Sequence, residues 1–392
     1  MMVRLNLCLL VVVIVSSTIF TLADAACKTS PTVLAGFAHM AALSADCTVW
    51  VWGQNEKYAL GRADVKEAAP FPVNALKGIT HISTQNNYML ALNQNGQVFA
   101  MGEFFGERDH QTPTKLEAAP AAVIGITGAT SMAAGWAHAL FLKRDGTVWA
   151  VRGNRSGQLG VPEIPGTDSP VMVPGLPKIN FIAAGSYHSL AISESGDVWT
   201  WGWNRSGQLG IGHTSDSERP TRVPEIKNIK MLAGGLWHSI ALDAEGQVWV
   251  WGDNQHWQLG FQQEKESLFP KRQLTMEPII SVGADYDRSI ALSKTGAVYV
   301  WGGEWGKPGV QLNPCNLKVP YRVLPLDKVI HVALGAHAAI ASGIYGVAPN
   351  GDVVNWRPIG KNYVCEGTHP DEEELVSQLI RERGSVLNLF HK

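Results

Sequence analysis

The feature that most constrains this chain is a repeat of 50 residues, marked by glycines at predicted hairpin turns. These glycines are Gly96, Gly146, Gly196, Gly246 and Gly296. A valine follows each glycine by two residues, and an aromatic residue follows each valine. Cys47 extends the series backward by 49 residues, and Gly351 extends it forward by 55. Seven copies account for nearly all of the 392 residues, so no separate catalytic domain is expected.

One repeat unit predicts four short antiparallel strands. Residues 181–184 are apolar and end at Gly185, and residues 188–193 alternate apolar and small side chains. A hairpin turn is predicted at Gly196, because glycine readily adopts positive φ. A third strand is predicted at residues 198–202 and a fourth near residues 221–224. Four short strands per unit are typical of a propeller blade, so the predicted fold is all-β, a seven-bladed β-propeller.

Large side chains on the third strand of each unit should fill the space between neighbouring blades. Trp199 and Trp249 are expected to be core residues for this reason.

The repeat is similar to a known sequence motif. Residues 183–210 read A-A-G-x-x-H-S-L-A-I and then G-x-V-W-x-W-G-x-N-x-x-G-Q-L-G, and residues 233–260 match nearly as well. This string resembles the repeat of the regulator of chromosome condensation family, which forms β-propellers. Residues 133–160 depart from it at Val151 and Arg152, and the second copy has Gln85, Tyr88 and Met101 in place of motif residues.

The N-terminus predicts a signal peptide over residues 1–25. Arg4 precedes an apolar run at residues 9–14, and small residues at Ala23 and Ala25 suit a signal peptidase. A transmembrane anchor is the alternative, although polar residues 16–18 make the apolar run short for a span. A lipoprotein anchor at Cys27 is less favoured, because Asp24 stands where an aliphatic residue is needed. Cleavage predicts a secreted or periplasmic protein with no stable membrane insertion.

Four cysteines remain after cleavage: Cys27, Cys47, Cys315 and Cys365. An even number in an exported chain suggests two disulfides, and four thiols allow three connectivities. Proximity in sequence favours Cys27–Cys47 and Cys315–Cys365, with free buried thiols as the alternative. Cys47 takes the hairpin position that is glycine in the next five repeats.

The remaining organisation follows from the repeats. Residues 26–365 are predicted to form the propeller, and residues 366–392 a C-terminal tail. The acidic run at residues 371–374 leads into apolar residues at helical spacing, which predicts a helix there. The net charge of −2 provides no field to attract nucleic acid.

No constellation of residues predicts an enzyme. The motif histidine recurs on separate blades, with tyrosine and arginine in two copies: His39, Tyr88, His138, His188, His238, Arg288 and His337. Equivalent positions on different blades form a wide ring that cannot share one ion, so a structural role is predicted and no metal or cofactor. Asn154 and Asn204 satisfy the glycosylation pattern, but both belong to the repeat turn, which is the favoured interpretation.

The two residues before each motif position vary most. Five of the seven loops carry a large aromatic residue there: Phe37, Trp136, Tyr187, Trp237 and Tyr286. Because the loops join equivalent strands, these side chains should share one face of the propeller. Exposed aromatic residues are typical of protein-binding hot spots, although local packing over the blades is the alternative. Trp136, Tyr187 and Trp237 are expected to form one contiguous patch.

The resemblance implies three kinds of function, each of which depends on a protein partner. Members of the family exchange nucleotide on a small GTPase, inhibit secreted β-lactamases, or perceive ultraviolet-B through a tryptophan-rich dimer face. The first hypothesis here is an exported, non-enzymatic protein that binds a protein partner on the aromatic face, as a monomer or a face-to-face homodimer. The alternative is an exchange factor or regulator of a small GTPase. The even repeat spacing leaves no room for the additional hairpin of the nuclear exchange factor.

Overall fold

The computed structural model describes residues 27–105, 115–274, 276–303, 317–323, 328–334, 344–350 and 352–356. They form seven antiparallel sheets, each built from consecutive strands of one repeat. The first strands of neighbouring sheets contact one another around the ring, so they are the innermost strands. These first strands are β1 (Thr32–Ala35), β5 (Ile79–Gln85), β9 (Ala129–Ala134), β13 (Ile179–Ala184), β17 (Ile229–Gly234), β21 (Ile279–Asp285) and β25 (His331–Leu334).

The second and third strands of each sheet pair as a hairpin. The second strands are β2 (His39–Leu43), β6 (Tyr88–Asn93), β10 (His138–Lys143), β14 (His188–Ser193), β18 (His238–Asp243), β22 (Arg288–Ser293) and β26 (Ile344–Val347). The third strands are β3 (Val49–Gln54), β7 (Val98–Phe105), β11 (Val148–Gly153), β15 (Val198–Gly202), β19 (Val248–Asp253), β23 (Val298–Gly302) and β27 (Val353–Trp356).

Six sheets have a fourth, outer strand and are numbered here as blades 1 to 6. These outer strands are β4 (Glu67–Pro72), β8 (Lys115–Ala122), β12 (Gly166–Met172), β16 (Ser217–Arg222), β20 (Glu266–Gln273) and β24 (Tyr321–Arg322). A short 3₁₀ turn (Glu56–Tyr58) precedes β4. The described residues contain no α-helix, and no helix among them is long and apolar enough to cross a membrane.

The prediction of a seven-bladed propeller is wrong, because six repeats form complete four-stranded blades. The last repeat supplies a three-stranded sheet, β25 to β27, named here the closing sheet, which packs against β1. A proline followed three residues later by a buried valine accompanies several outer strands, as at Pro220 and Val223. The predicted signal peptide and the predicted C-terminal helix both lie outside the described residues.

The core lies between neighbouring blades, as expected, and Trp199 and Trp249 pack against it. Trp201 and Trp251 are fully buried, whereas Trp199 and Trp249 are only partly buried. Residues two apart on a strand share one face of the sheet, so Trp199 and Trp201 both face blade 3. Trp199 lies beside the exposed hairpin turn, and Trp201 lies beneath the exit turn of the preceding blade.

A hydrogen-bond network joins blades 4 and 5. The Gln208 carbonyl oxygen accepts hydrogen bonds from Trp251 Nε1 at 2.8 Å and from the Ser239 hydroxyl at 2.8 Å. Because that hydroxyl has donated its hydrogen, its oxygen accepts from Nε2 of the motif residue His188, at 2.9 Å. We call this arrangement the Gln–Ser–Trp network. The same set of contacts joins blades 3 and 4 and blades 5 and 6.

Burial keeps the motif histidines neutral. It lowers the pKa of His39 to about 4 and the pKa values of His138, His188 and His238 to about 3. The preceding glycine makes room for the ring: a Cβ on Gly185 would lie 2.1 Å from His188 Cε1. These contacts between blades are those of structural residues, as predicted for the described copies. His337 lies outside the described residues.

The repeat turns also engage the asparagines that match the glycosylation pattern. Asn204 is fully buried, and its Nδ2 donates to the carbonyl oxygens of His213 at 2.7 Å and Ser215 at 2.9 Å. Asn154 Nδ2 donates in the same way to Val161 and Ile164. Both amides therefore serve the turn, which confirms the favoured interpretation.

One predicted disulfide is present. Cys27 and Cys47 are bonded, with their Cα atoms 5.8 Å apart. Cys47 has φ of +66°, in the left-handed region that glycine occupies at the same turn of the next five repeats. The bond fastens the start of the chain to the hairpin of blade 1. Cys315 and Cys365 lie outside the described residues.

Candidate functional site

The loops between first and second strands all open on one face of the propeller. We call it the inner-loop face, and the described loops are residues 36–38, 86–87, 135–137, 185–187, 235–237 and 286–287. The opposite face carries the turns between second and third strands and is called here the hairpin face. All five predicted aromatic side chains lie on the inner-loop face, and each is partly exposed.

Three of these side chains meet across the centre of the ring. Phe37, Trp136 and Tyr286 come from blades 1, 3 and 6, and we call them the axial cluster. The ring centroids of Trp136 and Tyr286 are 5.6 Å apart, edge to face. Phe37 lies 6.1 Å from Trp136 and 6.4 Å from Tyr286. Rings from three separate blades thus cover the centre of this face.

The other two predicted aromatic residues join a tryptophan that sequence reasoning missed. Trp203 lies in the exit segment of blade 4, 5.4 Å from Tyr187 and 3.9 Å from Trp237 between ring centroids. We call these three residues the lateral cluster. Trp203 is the one aromatic residue at its repeat position, where the described blades otherwise have Gln54, Glu103, Gly153, Asp253 and Gly303. That comparison of equivalent positions would have revealed it.

The split into two clusters follows from loop position. Axial residues are the first of the two variable loop residues, and their backbones face the neighbouring loop: Trp136 N–H donates to the Ser186 carbonyl at 3.0 Å. Tyr187 and Trp237 are second residues, whose rings lie over an exit segment. The expected contiguous patch of Trp136, Tyr187 and Trp237 is therefore differently arranged. Trp136 packs with Phe37 and Tyr286, while Tyr187 and Trp237 both contact Trp203.

Tyr286 is held in a strained conformation. Its φ is +45°, which is uncommon for a bulky residue. β21 and β22 pair up to Asp285 opposite Arg288, which leaves a two-residue turn that requires positive φ. Asn86 occupies the equivalent turn of blade 2 with φ of +49°, and asparagine tolerates that region. Burial, reinforced by the charge of Asp285, raises the pKa of the Tyr286 hydroxyl well above its usual value.

Two motif departures place arginines beneath this face. Arg288, in the histidine position of blade 6, is 4% exposed, and its Nη2 lies 2.8 Å from an Asp285 carboxylate oxygen. Arg152 takes a glycine position of blade 3 with φ of +90° and pairs with Asp168. In each pair the carboxylate is more exposed than the guanidinium.

The described residues contain no group of three or more histidine, cysteine, aspartate or glutamate side chains able to hold a metal ion. What the inner-loop face presents is contact area from the axial and lateral clusters. Its chemistry is that of recognition by half-exposed aromatic rings.

The ring of antiparallel sheets built from one repeat unit defines a repeat-type β-propeller. A family model described as the RCC1-like domain matches residues 17–341. This chain therefore belongs to the RCC1-like family, as the resemblance indicated.

Curated relatives match only short stretches of the chain. "Protein RCC2 homolog" from Xenopus laevis is 38% identical over 69 residues, which are 17% of this chain and 14% of that protein. "RCC1 domain-containing protein RUG3, mitochondrial" from Arabidopsis thaliana is 37% identical over 93 residues, 21% of each chain. The chain thus spans a small part of the length of these relatives.

Solved structures share the fold over most of the chain. Prp20p from Saccharomyces cerevisiae matches with a TM-score of 0.69 and 24% identity, covering 78% of this chain and 80% of that one. Human WBSCR16 matches with a TM-score of 0.67 and 21% identity, covering 79% and 86%. At these identities the likeness concerns the fold alone.

Proposed function

We propose that this chain is an exported, non-enzymatic propeller that binds a protein partner on its inner-loop face. The observation that carries the proposal is the pair of aromatic clusters there. Six partly exposed rings, three axial and three lateral, lie on one face. Large rings offer contact area at a low cost in side-chain entropy, and binding energy at protein interfaces concentrates in such residues.

The backbone strain at Tyr286 supports a binding role for the axial cluster. A bulky residue in the left-handed region costs of order 1–3 kcal/mol, and such strain is concentrated at functional sites. Asparagine would satisfy this turn without that cost, as Asn86 does in blade 2. Tyrosine at this position is more easily explained by what its ring contacts than by the stability of the turn.

Export is proposed from the N-terminal pattern and from the disulfide. A disulfide between Cys27 and Cys47 forms and persists in an oxidising compartment. Fractionation of the producing cell, with N-terminal sequencing of the mature protein, tests this part. Cleavage after Ala25 and an extracytoplasmic location are expected, whereas an intact N-terminus in the cytosolic fraction would contradict export.

The binding face is tested with a partner captured by the wild-type protein. Truncating Trp136, Tyr187 and Trp237 together to alanine should abolish detectable binding in calorimetry, since each truncation is expected to cost about 2 kcal/mol or more. Trp149→Ala is the matched control, because Trp149 is also partly buried but stacks under Lys143 at the hairpin face. Unchanged affinity in the triple variant would place the site elsewhere. Sedimentation of the protein alone shows whether a second copy is itself the partner.

Regulation of a small GTPase by nucleotide exchange is the second candidate. Family membership supports it, and the neighbour Prp20p was studied for its binding to Gsp1p and histones. The pairing of β7 with β8 also continues to Phe105 opposite Lys115, beyond the length of the other third strands. Blade 2 therefore extends further at the inner-loop side than the even repeat spacing predicted. Accelerated release of labelled nucleotide from small GTPases of the producing organism would favour this candidate, and unchanged release would favour the first.

A further inference from the structure

The charged side chains at the centre of the inner-loop face are mostly acidic. Two sets of described positions lie there: the variable residues of the inner loops and the first residue of each exit segment. The charged residues among them are Glu103, Asp253 and Asp287. All three are carboxylates. Lys57 offsets the charge of Glu103, so the acidic character of this face comes from Asp253 and Asp287.

Two of these carboxylates already have strong partners within the propeller. Glu103 Oε1 lies 3.3 Å from Lys57 Nζ. Asp253 is buried, and its Oδ2 accepts a hydrogen bond of 2.7 Å from Gln258 Nε2. These contacts satisfy Glu103 and Asp253 without any second molecule.

Asp287 differs from both. It follows Tyr286 of the axial cluster, and its side chain is 20% exposed. Its Oδ2 lies 3.7 Å from His256 Nδ1, and its Oδ1 is buried with no hydrogen-bond partner among the described residues. The neighbouring Arg288 guanidinium is directed to Asp285 instead. The exposed part of this carboxylate has only the long contact with His256, so a cation from a second molecule can pair with it there.

We propose that the partner presents a basic segment to this face, with an arginine or lysine side chain that pairs with Asp287 beside the axial cluster. The inference rests on the proposed protein-binding function and adds the chemistry of the partner. Arginine fits best, because its guanidinium pairs with a carboxylate and stacks on aromatic faces such as those of Tyr286 and Trp136. A cation within about 6 Å of a ring centroid is also attracted by the ring itself.

The test uses three labelled dodecapeptides of one sequence that alternates leucine with arginine, citrulline or glutamate. Citrulline keeps the shape of arginine without its charge. Fluorescence anisotropy with the full chain at low salt should show binding of the arginine peptide, with affinity at least tenfold weaker for the citrulline and glutamate peptides. Asp287→Asn should weaken binding of the arginine peptide about five- to tenfold and reduce its salt dependence. Asp145→Asn, an exposed carboxylate at the hairpin face, is the matched control and should change nothing.

Each other outcome overturns the inference in an identifiable way. Equal losses of affinity in Asp287→Asn and Asp145→Asn would show general electrostatic attraction of the peptide rather than binding at Asp287. Full affinity in Asp287→Asn, or no binding of the arginine peptide by the wild-type protein, would contradict the proposal that the partner presents a basic segment. If the triple aromatic variant loses its captured partner while Asp287→Asn retains it, the proposed function stands and this inference alone fails.

Discussion

Blades 3 to 6 and blades 1 to 3 are joined by different contacts, although the strands are arranged alike. The interfaces from blade 3 to blade 6 each contain the Gln–Ser–Trp network. At the interface of blades 2 and 3, Ala139 and Val151 occupy the serine and tryptophan positions, and the Tyr88 hydroxyl instead donates toward the backbone carbonyls of Gly135 and His138. At the interface of blades 1 and 2, His39 reaches the Thr84 hydroxyl at 2.7 Å.

Three positions therefore vary together. Where the exit turn of one blade has glutamine, the following blade has both the serine and the tryptophan of the network. Where Gln158, Gln208 and Gln258 are present, the following blade supplies both donors to their carbonyl oxygens. Where the exit turn differs, as at Ala59 in blade 1, methionines stand at the two donor positions of blade 2. The lateral cluster belongs to blades 4 and 5, so it lies on the part of the ring that has the network.

The largest expected effect concerns the buried tryptophan of the network. Trp251→Ala should lower the free energy of unfolding by about 3–5 kcal/mol, because it opens a cavity between blades and removes a donor to Gln208. Trp249→Ala, two residues earlier on the same strand, is only partly buried and should cost clearly less. Urea denaturation measures both. Equal losses would mean that depth between the blades does not determine the role of a tryptophan.

Acid should weaken the interfaces that use histidine. Their pKa values are lowered in the folded protein, so the neutral form is required, and stability present above about pH 6.5 is lost as the pH falls toward 3. Each histidine should contribute about 1.4 kcal/mol of unfolding free energy per pH unit in this range. His188→Gln should reduce the slope between pH 6 and pH 4 by about that amount. A slope equal to that of the wild-type protein would show that His188 does not titrate on unfolding.

The serine of the network should have a smaller effect. Ser239→Ala leaves His188 Nε2 without its acceptor, and an unsatisfied buried donor costs about 1–3 kcal/mol. Ala139→Ser adds the same hydroxyl at the interface of blades 2 and 3, where the network is absent, and should not stabilise the protein. Thermal or urea unfolding of the two variants compares the regions directly. A stabilising Ala139→Ser would show that the two kinds of interface are interchangeable.

The smallest effect on stability is expected at Tyr286. Tyr286→Asn suits the two-residue turn, so the free energy of unfolding should be unchanged or higher by up to about 1 kcal/mol. Partner binding should weaken, because the axial cluster loses a ring. A variant that is strongly destabilised would show that the ring serves packing rather than recognition.

The regular features of this molecule were predictable because each repeats. The all-β fold, the four strands of a blade and the placement of five aromatic residues on one face follow from positions 50 residues apart. The Cys27–Cys47 bond was predicted from proximity in sequence. The features that were missed depend on how deeply a side chain is buried and on the direction in which it points. Period-two alternation places Trp199 and Trp201 on one face of the strand, but it does not say which lies beneath the neighbouring exit turn.

The aromatic site was only partly predictable for a similar reason. Loop residues next to each other point in different directions, so the five aromatic residues divide into an axial and a lateral cluster. Trp203 was overlooked because it lies outside the loops that were compared. The spacing of the repeat did not predict a three-stranded closing sheet, because the hairpin glycine of that repeat recurs although the described residues include no outer strand for it.

The inner-loop face, and not the hairpin face, is proposed to bind a protein partner. Hydrogen–deuterium exchange of the full chain, with and without the captured partner, tests it most directly. Slower exchange is expected at residues 36–38, 185–187, 235–237 and 286–287, and unchanged exchange at the hairpin turns of residues 94–97, 144–147, 194–197 and 244–247. Slower exchange confined to the hairpin turns, with the inner loops unaffected, would contradict it.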